Sequence, residues 1–348
     1  HTQRPTKVWL TVSGARANEI AWKAAFAKKP GGVVRFDLAY HGRSLATALL
    51  SDPQRSDAAS FGTYPAPWLP HERSWSIPFP KHLHGVCGRP ILDPQSNTSS
   101  PLCEECVKAL AQAAMVFEKN QDQLSILFLE PVIGARGYYF APAQYLVRLV
   151  ELARNYGLVV VADEIQMGLR RLGSMVASAA QGWDADLVVF GKSLGGGILP
   201  IAAVVGDQDC LDSLPPGFES ETFAAYPLAC RVALAALKLL SPPNLGEHIE
   251  REGRFFRKAL RERLPDEIFV DGEGLATVIS LEHLGPAGTE LARTWVRQVA
   301  DIGLLVHLTG IQRSRIALLP PVNGSREELG EAVNLLHESF PRRQLARL

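Results

Sequence analysis

The chain alternates between short apolar runs and longer segments in which apolar residues recur at helical spacing. The apolar runs have the length of strands and cover residues 8–12, 33–38, 125–130, 158–163 and 186–191. The helical segments cover residues 16–29, 143–156 and 174–181. Because the apolar runs are hydrophobic at most positions, they are typical of strands buried on both faces. The pattern predicts an α/β fold with a mostly parallel sheet.

The pattern changes at two places along the chain. Residues 51–100 are rich in proline, serine, aromatic residues and histidine, and we predict a long irregular segment over the sheet. Beyond residue 242 come a charged helix at 245–264, short strands at 277–281 and 315–319, and a last helix that begins near Ser325 with a capping box. We therefore predict a large α/β domain over residues 1–240 and a smaller C-terminal α+β domain over residues 241–348.

The composition is that of an ordinary globular protein of 348 residues, a length that fits two domains. Its 36 basic residues balance its 36 acidic residues, so no net charge attracts nucleic acid or an anionic membrane. No apolar run approaches the roughly 20 residues that cross a bilayer. Five cysteines are too few for a disulfide scaffold. We expect a soluble, cytoplasmic protein whose partner is a small molecule.

The candidate chemistry lies at strand ends, where open α/β sheets bind their ligands. Ser13, Gly14 and Ala15 follow the first strand and precede a helix, so they form either a phosphate site or an ordinary helix cap. Asp163 ends an uncharged strand. A carboxylate buried there requires a cationic partner, whereas one facing solvent requires nothing.

A lysine beside a run of glycines is the most distinctive feature of the sequence. Residues 191–197 read GKSLGGG, and Lys192 ends an apolar strand. A partly desolvated lysine is a nucleophile for carbonyl groups, while a lysine that extends its amine into water is the ordinary alternative. The same segment matches the hydrolase pattern Gly-x-Ser-x-Gly around Ser193. That motif requires a helix next, and we predict a strand over 198–205 instead.

Two segments carry a family resemblance. Residues 162–168, ADEIQMG, and 191–197, GKSLGGG, resemble the Asp-Glu-Val-Gln-Thr-Gly and Gly-Lys-Gly-Leu-Gly-Gly-Gly motifs of the class III (omega) aminotransferases, and the resemblance runs from Trp9 to about Phe340. It implies the fold of type I pyridoxal-phosphate enzymes, whose large domain has a seven-stranded, mostly parallel sheet. It also implies a homodimer that binds pyridoxal 5'-phosphate and moves an amino group between an amine or amino acid and a keto acid or aldehyde.

The resemblance further implies roles for matching residues. Lys192 would form the Schiff base with the cofactor, and Asp163 would pair with the pyridinium nitrogen. Gln166 would bond the 3-oxygen of the ring, with Ile165 on one ring face and Tyr40 on the other. The remaining implied cofactor contacts are Ser13, Gly14, Ala15, His41, Glu130 and, from the neighbouring subunit, Thr222.

The sequence departs from the family at the substrate site. Many omega-aminotransferases pair a glutamate and an arginine in a switch that admits carboxylate substrates, and Ala135 and Ala317 stand at those positions. The loss removes the usual carboxylate anchor and disfavours 2-oxoglutarate as the acceptor. Arg136 and Arg315 are nearby replacements, although we expect both to be surface arginines. Tyr226 stands where the family has asparagine and is expected to narrow the pocket.

Other interpretations remain open at this point. The same fold and cofactor also serve racemases, epimerases and decarboxylases. A non-catalytic homologue is suggested by Arg16, which replaces a family glutamate, and by the missing family N-terminal segment. A zinc site fits the spacing of His82, His84, Cys87, Cys103 and Cys106. Cys106 lies in a helical pattern, however, and we predict no metal site.

Overall fold

The computed structural model describes residues 5–51, 73–80 and 102–345. Its larger sheet has seven strands in the order β1-β7-β6-β5-β4-β2-β3. The strands are β1 (Thr6–Thr11), β2 (Gly32–Phe36), β3 (Ser74–Ile77), β4 (Leu124–Leu129), β5 (Val159–Asp163), β6 (Leu187–Phe190) and β7 (Ala202–Asp207). All neighbours from β6 to β3 pair in parallel, and only β7 runs the other way. The predicted mostly parallel sheet is confirmed.

Helices cover both faces of this sheet. Alternate residues of β4 point to opposite sides: Ile126 and Phe128 pack with α1, and Leu127 and Leu129 pack with α3 and α4. The helices up to residue 240 are α1 (Gly14–Lys28), α2 (Leu45–Leu49), α3 (Glu104–Asn120), α4 (Ala143–Asn155), α5 (Ala177–Ala180), α6 (Gln208–Asp212) and α7 (Pro227–Leu240). A short 3₁₀ helix covers Lys192–Gly195. Because the sheet is buried on both faces, functional side chains are found at its edge.

A second, smaller sheet lies in the C-terminal part of the chain. Its four antiparallel strands have the order β10-β11-β9-β8. The elements are α8 (Pro243–Arg263), β8 (Phe269–Glu273), β9 (Ala276–Ser280), α9 (Gly285–Asp301), β10 (His307–Thr309), β11 (Arg315–Leu318), α10 (Arg326–Glu338) and α11 (Arg342–Leu345), with a 3₁₀ turn at Glu282–Leu284. Ser325 and Glu328 form the predicted capping box of α10. The predicted α+β arrangement is confirmed.

Several elements differ from the sequence prediction. The segment predicted to be irregular contains β3, which pairs in parallel with β2. Only one of its four residues is buried, so its hydrophobic pattern is weak. Strands β8 and β10 and helix α9 were not predicted. The apolar helix α7 begins at Pro227, and residues 222–225 before it form a turn. No helix within the described residues is long and apolar enough to span a membrane.

Candidate active site

The topology gathers the predicted residues at one edge of the large sheet. Strands β1, β2, β4, β5 and β6 run in the same direction, so their carboxyl ends meet there. The residues at these ends are Ser13–Ala15 after β1, Tyr40 and His41 after β2, Glu130 after β4, Asp163 at the end of β5 and Lys192 after β6. Residues that are far apart in sequence thus share one site.

Asp163 is a buried carboxylate that accepts three hydrogen bonds. Its Oδ2 accepts from the Asn18 Nδ2 at 2.8 Å and lies 2.8 Å from the His41 Nδ1, and its Oδ1 accepts from the Ile165 N–H at 3.1 Å. Asn18 also donates to the His41 carbonyl at 2.7 Å. Sequence reasoning missed Asn18, although a polar residue on the apolar face of α1 was a usable signal.

The surroundings of Asp163 fit a cationic ring nitrogen. Within the described residues no lysine or arginine forms an ion pair with Asp163, which is 6% exposed. A buried carboxylate needs a compensating positive charge or strong donors. The Nε2 of His41 and the Oδ1 of Asn18 are buried without a hydrogen-bond partner among the described residues. This carboxylate and its neighbours are therefore chemically suited to hold a protonated heterocycle.

Lys192 begins the 3₁₀ turn after β6. Its backbone φ is +42°, an uncommon conformation for a residue other than glycine. The Nζ donates to the Gln166 Oε1 at 2.9 Å. Although the residue is exposed as a whole, desolvation lowers the pKa of its amine, and the carboxylates of Asp163 and Glu130 oppose that effect. A lowered amine pKa suits a nucleophile.

Glu130 lies at the end of β4 and is fully enclosed. Its Oε1 accepts from the Tyr40 N–H at 2.9 Å and its Oε2 from the Gly134 N–H at 3.1 Å. Burial raises the pKa of this carboxyl to about 7, with Asp163 acting in the same direction and His41 in the opposite one. Glu130 thereby joins the segments that follow β2 and β4.

Two glycines permit close packing around the site. A Cβ on Gly14 would lie 2.7 Å from the Ile165 Cδ1, and a Cβ on Gly134 would lie 2.6 Å from the Gln166 Oε1. Either added atom would displace a predicted cofactor contact. Ser13 caps α1, and its Oγ accepts from the Arg16 N–H at 3.2 Å. Ser13 therefore caps α1, and a phosphate site at this helix start stays a prediction.

The predicted substrate residues have different surroundings from those expected. Arg136 and Arg315 are 6% and 3% exposed, so the expectation of surface arginines was wrong. Arg315 lies in β11 and packs against the segment after β4, where burial requires partners for its guanidinium. Thr222 is exposed in its turn, and Tyr226 is exposed as the N-cap of α7.

Glu164, Ser193 and the zinc candidates have the following surroundings. The carboxylate of Glu164 accepts from the Ala177 and Ser178 N–H groups, which begin α5. Ser193 lies in the 3₁₀ turn, and the next element is the strand β7, so the sequence context of a hydrolase nucleophile is absent here. Among the zinc candidates, Cys103 caps α3 and accepts from the Cys106 N–H, and His82, His84 and Cys87 lie outside the described residues.

Comparison with known proteins finds similar sequences and structures. A model described as Aminotransferase class-III matches residues 2–340. The 5-aminovalerate aminotransferase DavT of Pseudomonas aeruginosa is 31% identical over 97% of this chain and 75% of its own length. The 4-aminobutyrate aminotransferase GabT of Escherichia coli is 27% identical over 96% of this chain and 75% of its own. A structure of the Toxoplasma gondii ornithine aminotransferase, with PLP partly occupying its active site, has a TM-score of 0.79 at 25% identity and covers 98% of this chain and 73% of that one.

The fold and the site define a pyridoxal-phosphate-dependent transferase. The chain belongs to the class III aminotransferase family, and it spans about three quarters of the length of the relatives named above. It is accordingly an enzyme that transfers amino groups with pyridoxal phosphate as its cofactor. The family resemblance inferred from residues 162–168 and 191–197 is confirmed.

Proposed function

We propose that Lys192 forms the Schiff base with pyridoxal phosphate and that Asp163 pairs with the ring nitrogen. The observation that carries this proposal is that an amine of lowered pKa and a buried carboxylate, which accepts from the Asn18 amide and the Ile165 N–H, lie at the ends of adjacent strands. When bound, the cofactor supplies an electron sink for a substrate carbon. The Lys192 amine, once free, moves a proton at that carbon.

The other residues at the site are proposed to orient and enclose the cofactor. Asn18 and His41 hold the Asp163 carboxylate in place, so its charge faces the ring nitrogen without reorganisation. The N–H groups of Gly14 and Ala15 at the start of α1 are proposed to hold the phosphate. Gln166 is proposed to donate to the 3-oxygen of the ring, between Ile165 and an aromatic face supplied by Tyr40.

The proposed substrate class rests on the charges at the substrate site and on the substrates of the relatives. Ala135 and Ala317 place no charge at the family's switch positions. The names of these relatives refer to 5-aminovalerate, 4-aminobutyrate and ornithine, which are amino acids with an amine at the chain end. We therefore propose a small amine or amino acid as donor and a keto acid or aldehyde as acceptor. Tyr226 is proposed to narrow the pocket, and Arg136 to lie near it.

A homodimer is proposed from the exposed apolar surface beside Lys192. Helix α7 packs on the 3₁₀ turn, and Ile198, Phe223 and Leu228 around it are 74%, 64% and 54% exposed. Apolar patches of this kind are typical of interfaces. Thr222 lies in the same region and is proposed to reach the phosphate of the partner's site. We also propose that the domains divide at residue 240, since α7 ends there. The enzyme is further proposed to be cytoplasmic, because the four described cysteines form no disulfide.

The function is tested with Lys192→Ala. The purified wild-type protein is expected to show the visible absorbance of a bound Schiff base, and Lys192→Ala is expected to lose it. Lys29→Ala is the matched control, because burial also lowers the pKa of Lys29, yet its amine bonds the Tyr156 and Gly157 carbonyls. Retention of the band in Lys192→Ala would contradict the proposal.

The reaction type is tested by supplying an amine without an acceptor. A transaminase releases one equivalent of carbonyl product per site and then stops. A racemase or epimerase changes chirality without consuming the amine, and a decarboxylase releases carbon dioxide continuously. Only the first result supports amino transfer, and absence of all three would indicate a non-catalytic homologue.

The dimer is tested by mixing two inactive variants. If Thr222 completes the partner's site, a hybrid of Lys192→Ala and Thr222→Ala chains contains one intact site and one site with both defects. Random mixing should then restore about a quarter of the wild-type activity. No recovery on mixing, with hybrids shown to form by native mass, would contradict the shared site.

A further inference from the structure

Ion pairs join the loop between α6 and α7 to the first half of α1. Glu219 lies in this loop, residues 213–226, and is 2% exposed. Its Oε2 pairs with the Arg16 guanidinium, and its Oε1 lies 2.8 Å from the Lys23 Nζ. A carboxylate buried to this extent requires such countercharges. The loop is therefore fixed to α1 by a buried charge and its two partners.

A second contact fixes the same loop immediately before Thr222. The Thr11 hydroxyl, at the end of β1, donates to the Glu221 carboxylate. Because Thr11 belongs to the large sheet and is 1% exposed, it is a fixed point of attachment. Thr222 follows directly and is exposed. Both anchors thus precede the residue that is proposed to reach the phosphate of the partner's site.

The charges around Glu219 account for the arginine at position 16. Arg16 also pairs with Glu19 at 3.1 Å, and Glu19 accepts from the Ser44 hydroxyl. Two cations, Arg16 and Lys23, thus balance two carboxylates. The family's glutamate at this position would place three carboxylates beside Lys23 alone, and burial of Glu219 would then be unfavourable. Arg16 and Glu219 are therefore matched to each other.

Arg16 also lies close to the proposed phosphate site of its own subunit, because it follows Gly14 and Ala15 in the first turn of α1. It could therefore act on that phosphate directly through its charge. Its guanidinium, however, is already paired with the carboxylates of Glu19 and Glu219. Two adjacent negative charges largely cancel its field. The geometry favours an effect through the loop.

We propose that Arg16 is a positioning residue for the cofactor of the partner subunit: its ion pair with Glu219 fixes the loop that presents Thr222 to the phosphate there. This inference rests on the proposed homodimer and on the proposed role of Thr222. Each α1 then holds one phosphate directly and helps to hold the other through the loop. A defect at Arg16 belongs to the site of the other chain.

The test separates the two sites in hybrid dimers, which are purified through a different affinity tag on each chain. Only a chain that keeps Lys192 forms the Schiff base, so titrating its absorbance with pyridoxal phosphate measures the affinity of one site. The first hybrid joins an Arg16→Gln chain to a Lys192→Ala chain. The second joins a wild-type chain to a chain with both substitutions. The reference joins a wild-type chain to a Lys192→Ala chain.

The two hybrids should differ in cofactor affinity. In the second hybrid the measured site receives its loop from the variant chain, so the affinity should fall roughly tenfold, because a hydrogen bond to a charged phosphate is lost or weakened. In the first hybrid the measured site lies on the variant chain but receives an intact loop, so it should match the reference. A merely structural defect in the Arg16→Gln chain would weaken its own site in the first hybrid.

Lys28→Gln is the matched control. Lys28 lies on the same helix, and its amine pairs with Asp207 at 2.8 Å, outside the loop. Both hybrids made with Lys28→Gln should match the reference. Glu219→Gln removes the other charge of the ion pair, and its two hybrids should reproduce the difference seen with Arg16→Gln.

The outcomes distinguish the inference from the proposed function. Unchanged affinity in both hybrids, equal weakening in both, or weakening confined to the first would overturn the inference and leave the proposed Schiff base intact. If Arg16→Gln does not yield folded dimers, the hybrids made with Glu219→Gln decide by the same criterion.

Two further outcomes concern the premises. Absence of the Schiff base in the reference hybrid would contradict the proposed role of Lys192. Adding Thr222→Ala to the Lys192→Ala chain of the reference should weaken the measured site. An unchanged affinity there would overturn the inference together with the role of Thr222.

Discussion

Two buried charges in this protein have opposite kinds of partner. Asp163, in the large sheet, is held by the amide of Asn18, the N–H of Ile165 and the imidazole of His41. Arg315, in the small sheet, forms an ion pair with Glu282 at 2.8 Å and also donates to backbone carbonyls and to the Ser280 hydroxyl.

The difference shows that the partners of a buried charge indicate whether the charge serves to bind a ligand or to hold the fold together. No lysine or arginine among the described residues pairs with Asp163, so its negative charge is available to a cation. The carboxylate of Glu282 neutralises Arg315, and the Tyr139 ring stacks 4.2 Å from the guanidinium. A saturated ion of this kind holds the segment after β4 against β11 and is not free to anchor a substrate carboxylate.

The largest expected effect comes from Asp163→Asn, which keeps the size of the side chain and removes its charge. Amino transfer should fall by on the order of a thousandfold, because the proposed ion pair between this carboxylate and the ring nitrogen is lost. The measurement is the single-turnover rate with excess amine. Asp186→Asn is the control: Asp186 is a buried acid near the other end of β6 that pairs with Arg154, so its loss should reduce stability and leave the rate nearly unchanged. Equal rate losses in Asp163→Asn and Asp186→Asn would contradict a specific role of the Asp163 charge in amino transfer.

The second effect concerns stability and comes from Glu282→Gln. The free energy of unfolding should fall by about 4 kcal/mol, because Arg315 is left buried without its countercharge. Urea unfolding followed by tryptophan fluorescence measures it. Glu290→Gln, which breaks the exposed pair with Arg293, should cost less than about 1 kcal/mol. Similar losses in the two variants would show that the buried pair is no more important than a surface pair.

The smallest effect is a pH dependence due to Glu130. Its folded pKa of about 7 lies above the ordinary 4.5, so between these values the folded state binds more protons than the unfolded state. The free energy of unfolding therefore falls as pH rises through this window, by up to about 3 kcal/mol. Glu130→Gln should remove this dependence of the free energy of unfolding on pH, whereas the exposed Glu262→Gln should retain it. Urea unfolding across this pH window, without added cofactor, measures both. A slope unchanged in Glu130→Gln would show that other groups cause it.

Part of the site could be predicted because its signals are local. An apolar run that stops at Asp163, and another that stops before Lys192 and its glycines, mark the ends of two parallel strands wherever they lie. The same local signals predicted the capping box of α10. The strand β3 was missed because its residues are only partly buried, and tertiary pairing with β2 compensates for a weak pattern.

Which distant side chains contact one another could not be predicted from the sequence. Arg315 occupies a position in β11 that is equally compatible with solvent or core, and its burial depends on the segment around Tyr138, 177 positions away. Asn18 gave a polar signal on α1 but no indication that it would meet Asp163, 145 positions away. The hydrogen bond from the Gln166 amide to the Tyr138 hydroxyl likewise depends on a loop that the bridge between Ile133 and Tyr139 closes.

The amino-acid sequence by itself determined the succession of strands and helices, the family and the residues that stand at the strand ends, because hydrophobic periodicity and short motifs are properties of neighbouring residues. Only the tertiary structure decided that Arg315 is neutralised by a carboxylate and that Asp163 has no lysine or arginine partner among the described residues. Burial and hydrogen bonding depend on atoms brought together from distant parts of the chain, and the same arginine or aspartate is structural or functional according to those neighbours.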